Sequence, residues 1–433
     1  MVAYSLSPHT IRPSARRPTL SAPKATATTQ HLIAALTIFA VCYNGVLAMI
    51  HSLIHPLGRG AVLAAETLIL LCALALIMTR PLKRRDYTAI GLLYFFVADA
   101  FYVSLLNDTL YLDQVRNVAI IALFSILGAR LETTIFVRTI AIISGLVLFF
   151  NILELASTPL YVGLFSPSSY YQATRGIQEF SLDSSGLFRN ALGFQGRFSY
   201  NIFHSPRTSS LFVEQVALAN YAGFLTVYLI SLWHRLNPRS RALHIITLLL
   251  ILVSNNTRTS SVLAAIMLVG YFIFPLLPRY WNILIVPLLI GIGAVVNLMY
   301  PNSVGDNTAG RLNLTMRYLY ELDFRDMLGF SVAKSYHRLD SGYPYIILSS
   351  TFIGLTVLWL FITLSIRQKS VEQKRGGYAL STMFFLNLMI GATAIFSTKI
   401  AAPLWLLAGF LNSPIMTANE RQSTEGETPD ERT

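Results

Sequence analysis

Apolar runs long enough to cross a bilayer follow one another along this chain, separated by short polar clusters. A helix needs roughly 20 mostly apolar residues to span about 30 Å of hydrocarbon. On that measure the pattern predicts about twelve spanning helices. They fall at residues 31–54, 61–78, 87–106, 115–129, 135–156, 211–233, 242–255, 262–277, 282–300, 343–366, 378–398 and, a short one, 401–416. The expected fold class is all-α, a polytopic membrane domain over residues 31–416. A polar tail at 1–30 precedes it, and a tail rich in Glu, Thr, Ser and Arg at 417–433 follows. The first run is too long for the apolar core of a signal peptide, so it reads as the first span.

Charge gives this pattern a side. Alternate connections carry Arg80, Lys83, Arg84 and Arg85, then Arg130 and Arg138, then Arg235, Arg239 and Arg241, then Arg279, then Arg367, Lys369, Lys374 and Arg375. The short connections between them, 55–60 and 107–114, hold almost no Lys or Arg. The bias of basic loops toward the cytoplasm then predicts both termini inside. Two long connections, about 157–210 and 301–342, fall outside and show no strong helical pattern. Loops of that length are functional or disordered. Their content of Tyr, Phe and Arg argues against simple disorder.

Composition agrees with lipid as the solvent. The chain is 54% hydrophobic and 12% charged, against about 25% charged in a soluble domain. Its net charge of +12 would suggest nucleic acid in a soluble protein. Here the basic residues lie between apolar runs and serve topology instead. The two cysteines, Cys42 and Cys72, both sit in apolar runs, which speaks against a disulfide framework or a thiolate metal site.

Ionisable groups inside spans are costly and tend to be functional or paired. Here they are Glu66, Asp99, Arg116, Glu154, Glu214 and Lys399, each toward the outer part of its helix under this topology. That skew predicts a water-filled cavity open to the outside. Snorkelling of each charge to the headgroups is the plainer reading. The outer segments also hold Arg175, Arg189, Arg197, Arg207, Arg258, Arg311, Arg317, Arg325 and Arg338, with Lys334 the lone lysine. Arginine grips phosphate oxygens in pairs and keeps its charge. A pyrophosphate linked to lipid would bring such an anion to this depth. Salt bridges to Glu179, Asp323 and Asp326 are the competing use.

Three local patterns sharpen the expectation. Ser205-Pro-Arg-Thr-Ser-Ser leads into the sixth span, and a helix from Arg207 would put Arg207 and Glu214 on one face. Asn255-Asn-Thr-Arg-Thr-Ser-Ser261 joins two spans by a tight turn that holds Arg258 at the membrane surface. Gly310-Arg311 precedes His337-Arg-Leu-Asp-Ser-Gly-Tyr343, where Asp340 and His337 are candidate proton acceptors. No glycine-rich nucleotide loop, His-Glu-x-x-His helix or nucleophile elbow occurs, so ATP use and metal catalysis have no support.

At these residues the chain resembles the Wzy/O-antigen polymerase and ligase superfamily of bacterial inner-membrane proteins. The likeness rests on two large outer loops, the Arg207-Thr-Ser-Ser lead-in ahead of Glu214, and the Thr257-Arg-Thr-Ser turn. It extends through Gly310-Arg311, Leu328-Gly-Phe, Asp340-Ser-Gly-Tyr and Ile353-Gly-Leu, covering about residues 155–364. Length and expected span number are similar to those of polymerases of xanthan-type exopolysaccharides.

The resemblance implies a glycosyltransferase, without metal or cofactor, that polymerises undecaprenyl-pyrophosphate-linked oligosaccharide repeat units at the periplasmic face of the inner membrane. It implies Arg207, Arg258 and Arg311 on the pyrophosphate and Asp340 or His337 as catalytic proton acceptor, with Glu214, Tyr343 and Arg338 in support. Membrane lipid and proteins that regulate chain length and export are the implied partners, and nucleic acid is not. Family ligases carry a histidine near the end of the last long loop. This chain has Asp340 at the mouth of the span with His337 just before it, which favours polymerase over ligase. A flippase of lipid-linked oligosaccharide, an O-antigen ligase-type transferase and a non-enzymatic assembly partner are the alternatives.

Overall fold

The computed structural model describes residues 27–176, 185–188, 191, 199–203, 206–303, 305, 307–391, 393–413 and 416. Residues 1–26, Glu179, Arg189, Arg197 and the tail 417–433 lie outside the described residues. Among the described residues there is no strand. The first group of helices is α1 (Ala27–Leu53), α2 (Arg59–Met78), α3 (Tyr87–Leu106), α4 (Asp113–Gly128), α5 (Thr133–Ala156), α6 (Thr158–Phe165) and α7 (Pro167–Arg175). The middle group is α8 (Gln215–Leu232), α9 (Pro238–Ser254), α10 (Arg258–Ile273), α11 (Ile285–Met299) and α12 (Thr308–Tyr320). The last group is α13 (Phe324–Met327), α14 (Val332–Ser335), α15 (Gly342–Ser349), α16 (Phe352–Leu364), α17 (Val371–Ile390) and α18 (Thr398–Leu411).

Seven segments are long and apolar enough to cross a membrane: Ala27–Leu53, Arg59–Met78, Tyr87–Leu106, Thr133–Ala156, Gln215–Arg235, Arg258–Leu276 and Arg279–Met299. The protein is a multi-pass helical membrane protein. Helices α16 and α18 are apolar but shorter.

The structure departs from the sequence pattern where polar side chains interrupt a helix. The run expected at 343–366 breaks into α15 and α16. At the break Thr351 accepts from the Gly354 amide at 2.9 Å and donates to Asp99 of α3 at 3.1 Å. Backbone groups freed at membrane depth need such partners. The run expected at 211–233 becomes α-helical only from Gln215; a single 3-10 turn at Ser210–Phe212 precedes it and ends at Val213, which adopts a left-handed conformation with φ 61°. The long connections are not structureless either: α6 and α7 occupy the first, and α12, α13 and α14 the second.

Helix α18 is enclosed along its whole length and packs on α4, α1, α8 and α17. Two glycines allow the closest of these approaches. A Cβ on Gly128 would collide with the Leu406 carbonyl oxygen, and one on Gly409 with the Ser125 carbonyl oxygen. Such small-residue contacts drive helix association where lipid removes the hydrophobic incentive.

The basic turns gather at one end of the bundle and cap helix C-termini there. Arg130 donates to the Ile77 carbonyl at 2.8 Å and Arg85 to the Ala129 carbonyl at 2.7 Å. Arg241 reaches Trp233 at 3.0 Å, Lys374 reaches Pro275 at 2.9 Å and Arg375 reaches Tyr271 at 2.9 Å. Cations complement the negative end of the helix dipole at such positions. Arg116 in the first turn of α4 and Thr398 at the start of α18 both donate to Glu66, at 3.2 and 3.5 Å, so the two helices run in parallel and their C-termini share this end.

Candidate functional site

The opposite end of the bundle holds a cavity of about 1220 Å³. Its walls include Arg59 and Glu66 of α2, Arg116 of α4, Arg175 of α7, Arg207, Glu214, Arg258 at the start of α10, Arg311 of α12, and Asp340. Among the described residues that line it, six arginines (59, 116, 175, 207, 258 and 311) face four carboxylates (Glu66, Asp113, Glu214 and Asp340). The cavity therefore favours anions.

Local structure places Arg207, Arg258 and Arg311. The stretch from Arg207 to Ser210 is pinned by Glu154 of α5, whose carboxylate accepts from the Ser209 amide at 2.8 Å and the Ser210 amide at 2.7 Å. Asn255 at the end of α9 completes the clamp. Its carbonyl accepts from Arg207 Nε at 2.6 Å, its side-chain oxygen accepts from Nη2 at 3.1 Å, and its amide donates to the Thr208 and Gln215 carbonyls. Asn256 then turns the chain with φ 50°, and Thr257 caps α10 by accepting from the Ser260 amide. The next residue, Arg258, thus stands in the first turn of α10. Arg311 lies in the first turn of α12, which Asn307 caps by accepting from the Gly310 amide at 2.7 Å. Its Nη1 is 3.7 Å from Asp340 Oδ1.

Two ion networks form another part of the lining. Arg175 grips Glu214 with both terminal nitrogens, at 3.2 and 3.1 Å, and its guanidinium lies 4.6 Å from the Tyr171 ring centre. Lys399 of α18, with a side chain only 1% exposed, reaches the same carboxylate from behind at 2.8 Å. Burial works against the Arg175 charge, but the Glu214 carboxylate outweighs it and holds the proton more firmly than usual. In the second network Glu66 accepts from Tyr43 at 2.6 Å and from Arg116 at 3.2 Å.

Of the residues expected from the sequence, Arg207, Arg258, Arg311, Glu214 and Asp340 meet in this cavity. Arg207 and Glu214 do so from an irregular segment, not from one helical face. His337, Arg338 and Tyr343 do not line it. His337 is exposed. Arg338 lies 3.6 Å from the Tyr318 ring centre and pairs with Glu321. Tyr343 is buried and donates to the Phe385 carbonyl at 3.2 Å. Asp326 pairs with Lys334 at 2.8 Å and forms a capping box with Asp323, so its partner is not one of the outer arginines. Arg59 went unnoticed in the sequence, where it merely follows a turn. Arg175, Arg116, Glu66 and Lys399 stood out as charges but had no role. Comparison with protein-family models, curated proteins and solved structures finds no match to this chain.

Proposed function

We propose that the protein polymerises undecaprenyl-pyrophosphate-linked oligosaccharide repeat units at the periplasmic face of a bacterial inner membrane. In this reading the chain crosses the membrane about twelve times, with the basic turns and both termini in the cytoplasm and the arginine-lined cavity facing outward. The observation that carries it is the convergence of Arg207, Arg258 and Arg311, from three separate segments, on one cavity that also contains Asp340.

The chemistry follows from the charges. The reducing-end sugar of the growing chain leaves its pyrophosphate as the anomeric carbon–oxygen bond breaks. Negative charge builds on the departing undecaprenyl pyrophosphate, and fixed guanidiniums aimed there lower the barrier. The attacking hydroxyl at the non-reducing end of the incoming unit forms the new bond and gives its proton to a base. Asp340, beside Arg311 and 75% exposed, fits that role better than His337, which lies outside the cavity. Proteins that set chain length or export the product are the expected partners.

The test is a purified protein in lipid nanodiscs supplied with lipid-linked repeat units. Longer lipid-linked chains are expected, and Arg258→Ala should reduce their formation by about 10²-fold, the scale of losing one transition-state donor. Transfer only to a different lipid would mean a ligase. Leaflet exchange without bond formation would mean a flippase. Unchanged polymer length and yield in Arg258→Ala would remove the clamp.

A further inference from the structure

We propose that the break between α15 and α16 binds a sodium ion, held by the Asp99 carboxylate of α3 and by oxygens of the interrupted helix. None of these residues lines the arginine cavity, and binding here does not depend on the function proposed above. Asp99 is 9% exposed. Its Oδ1 accepts from Thr351 Oγ1 at 3.1 Å, while its buried Oδ2 has no hydrogen-bond partner. No Lys, Arg or His pairs with it among the described residues.

An isolated carboxylate in such a place is costly. Protonation removes the charge, yet the new hydroxyl finds no acceptor, because no polar partner reaches Oδ2. A water alone satisfies the oxygen and leaves the charge. A small cation meets both demands at once.

The surroundings supply hard oxygen ligands. Helix α15 ends at Ser349 and α16 begins at Phe352, so the backbone is irregular through Ser350 and Thr351. The Ile347, Leu348 and Ser349 carbonyls accept no hydrogen bond among the described residues. Carbonyls in the last turn of a helix point past its end, here toward the break. A Cβ on Gly354 would collide with Ser350 Oγ and lie 3.5 Å from Asp99 Oδ2. Those two oxygens therefore face one small space, which the glycine leaves free. Ser350 Oγ donates its own proton to the Ile346 carbonyl at 2.8 Å and so keeps lone pairs for a cation. Broken helices in membrane proteins bind sodium through such carbonyls. One carboxylate balances one positive charge. Among the described residues no three His, Cys, Asp or Glu side chains gather to hold a metal ion, which speaks against a divalent one. The ion ties α3 to α15, which starts two residues after Asp340 and is bonded to α12 through Ser341 and Thr315 at 2.8 Å.

Binding of radioactive sodium to the purified full chain in nanodiscs tests this, with thermal unfolding as a second readout. A single equivalent is expected. Sodium should raise the unfolding midpoint by about 2 °C or more over choline at equal ionic strength, and potassium should not. Asp99→Asn keeps the shape and the acceptor for Thr351 but removes the charge. It should unfold cooperatively, bind no sodium and show no response of its midpoint. Ser350→Ala is the milder change and should weaken sodium binding about tenfold. Should Asp99→Asn not fold, unchanged affinity in Ser350→Ala overturns the site and the tenfold loss supports it. No sodium bound by the wild type, with a midpoint that follows pH alone, means that a proton neutralises Asp99 and overturns the proposal. Sodium binding that survives Asp99→Asn, or an equal response to potassium, overturns it as well.

Discussion

Glu214 carries two cations on one carboxylate, Arg175 from the cavity and Lys399 from within the bundle. Removing one partner of a buried pair costs about 3–5 kcal/mol. Because Arg175 remains, Lys399→Met should fall near the lower end, about 3 kcal/mol, read as a shifted denaturation midpoint in mixed micelles. A change under about 1 kcal/mol, the scale of an exposed pair, would mean the contact is solvated. Arg258 was legible in the sequence because a turn of a few residues between two apolar runs leaves an arginine little freedom of depth. That His337 falls outside the cavity was not legible, for the opposite reason. It lies in a long connection, where α13, α14 and the Asp326–Lys334 pair decide which way each side chain faces. None of those contacts has a sequence period. Arg175 was visible only as one charge among many, since its role depends on meeting Glu214, 39 positions further along.

The contact between α4 and α18 depends on two glycines whose hydrogen atoms lie against opposing carbonyls. Neither backbone can retreat without moving a whole helix. Gly409→Val should therefore destabilise the protein by about 1–3 kcal/mol or more, the range for overpacking, and should disturb Lys399, which α18 delivers to the cavity. A thermal unfolding scan in detergent that matched wild type would contradict this packing. Most helices could be read from runs of apolar residues, and Tyr87–Leu106 begins and ends where the pattern placed it. The break between α15 and α16 could not. Ser350 and Thr351 look unremarkable within an apolar run, and Thr351, which caps α16, finds its own acceptor in Asp99, 252 positions earlier. Likewise α17 starts at Val371, ahead of its apolar stretch, because Ser370 and Gln373 form a capping box.

At the scale of the molecule the two ends are chemically unlike, with capped helix C-termini and basic turns at one and the anion-seeking cavity at the other. The positive-inside bias predicts that the first end faces the cytosol. A cysteine introduced at Ser303 should react with an impermeant maleimide added to intact spheroplasts, and one at Arg84 only after lysis. The reverse labelling would leave the cavity without its lipid-linked substrate and end the functional proposal. Helix α18 has a further consequence. At 14 residues it is only about 21 Å long, shorter than the bilayer core, and protein surrounds it on every side. It also follows every other described helix in the chain. The ribosome thus releases the innermost part after its enclosure has already been inserted. Helices α1, α4, α8 and α17 have to leave a vacant slot, or part again, to admit it. Until that happens Glu214 lacks its inner counter-ion, so a nascent chain holds an incomplete site until α18 is in place.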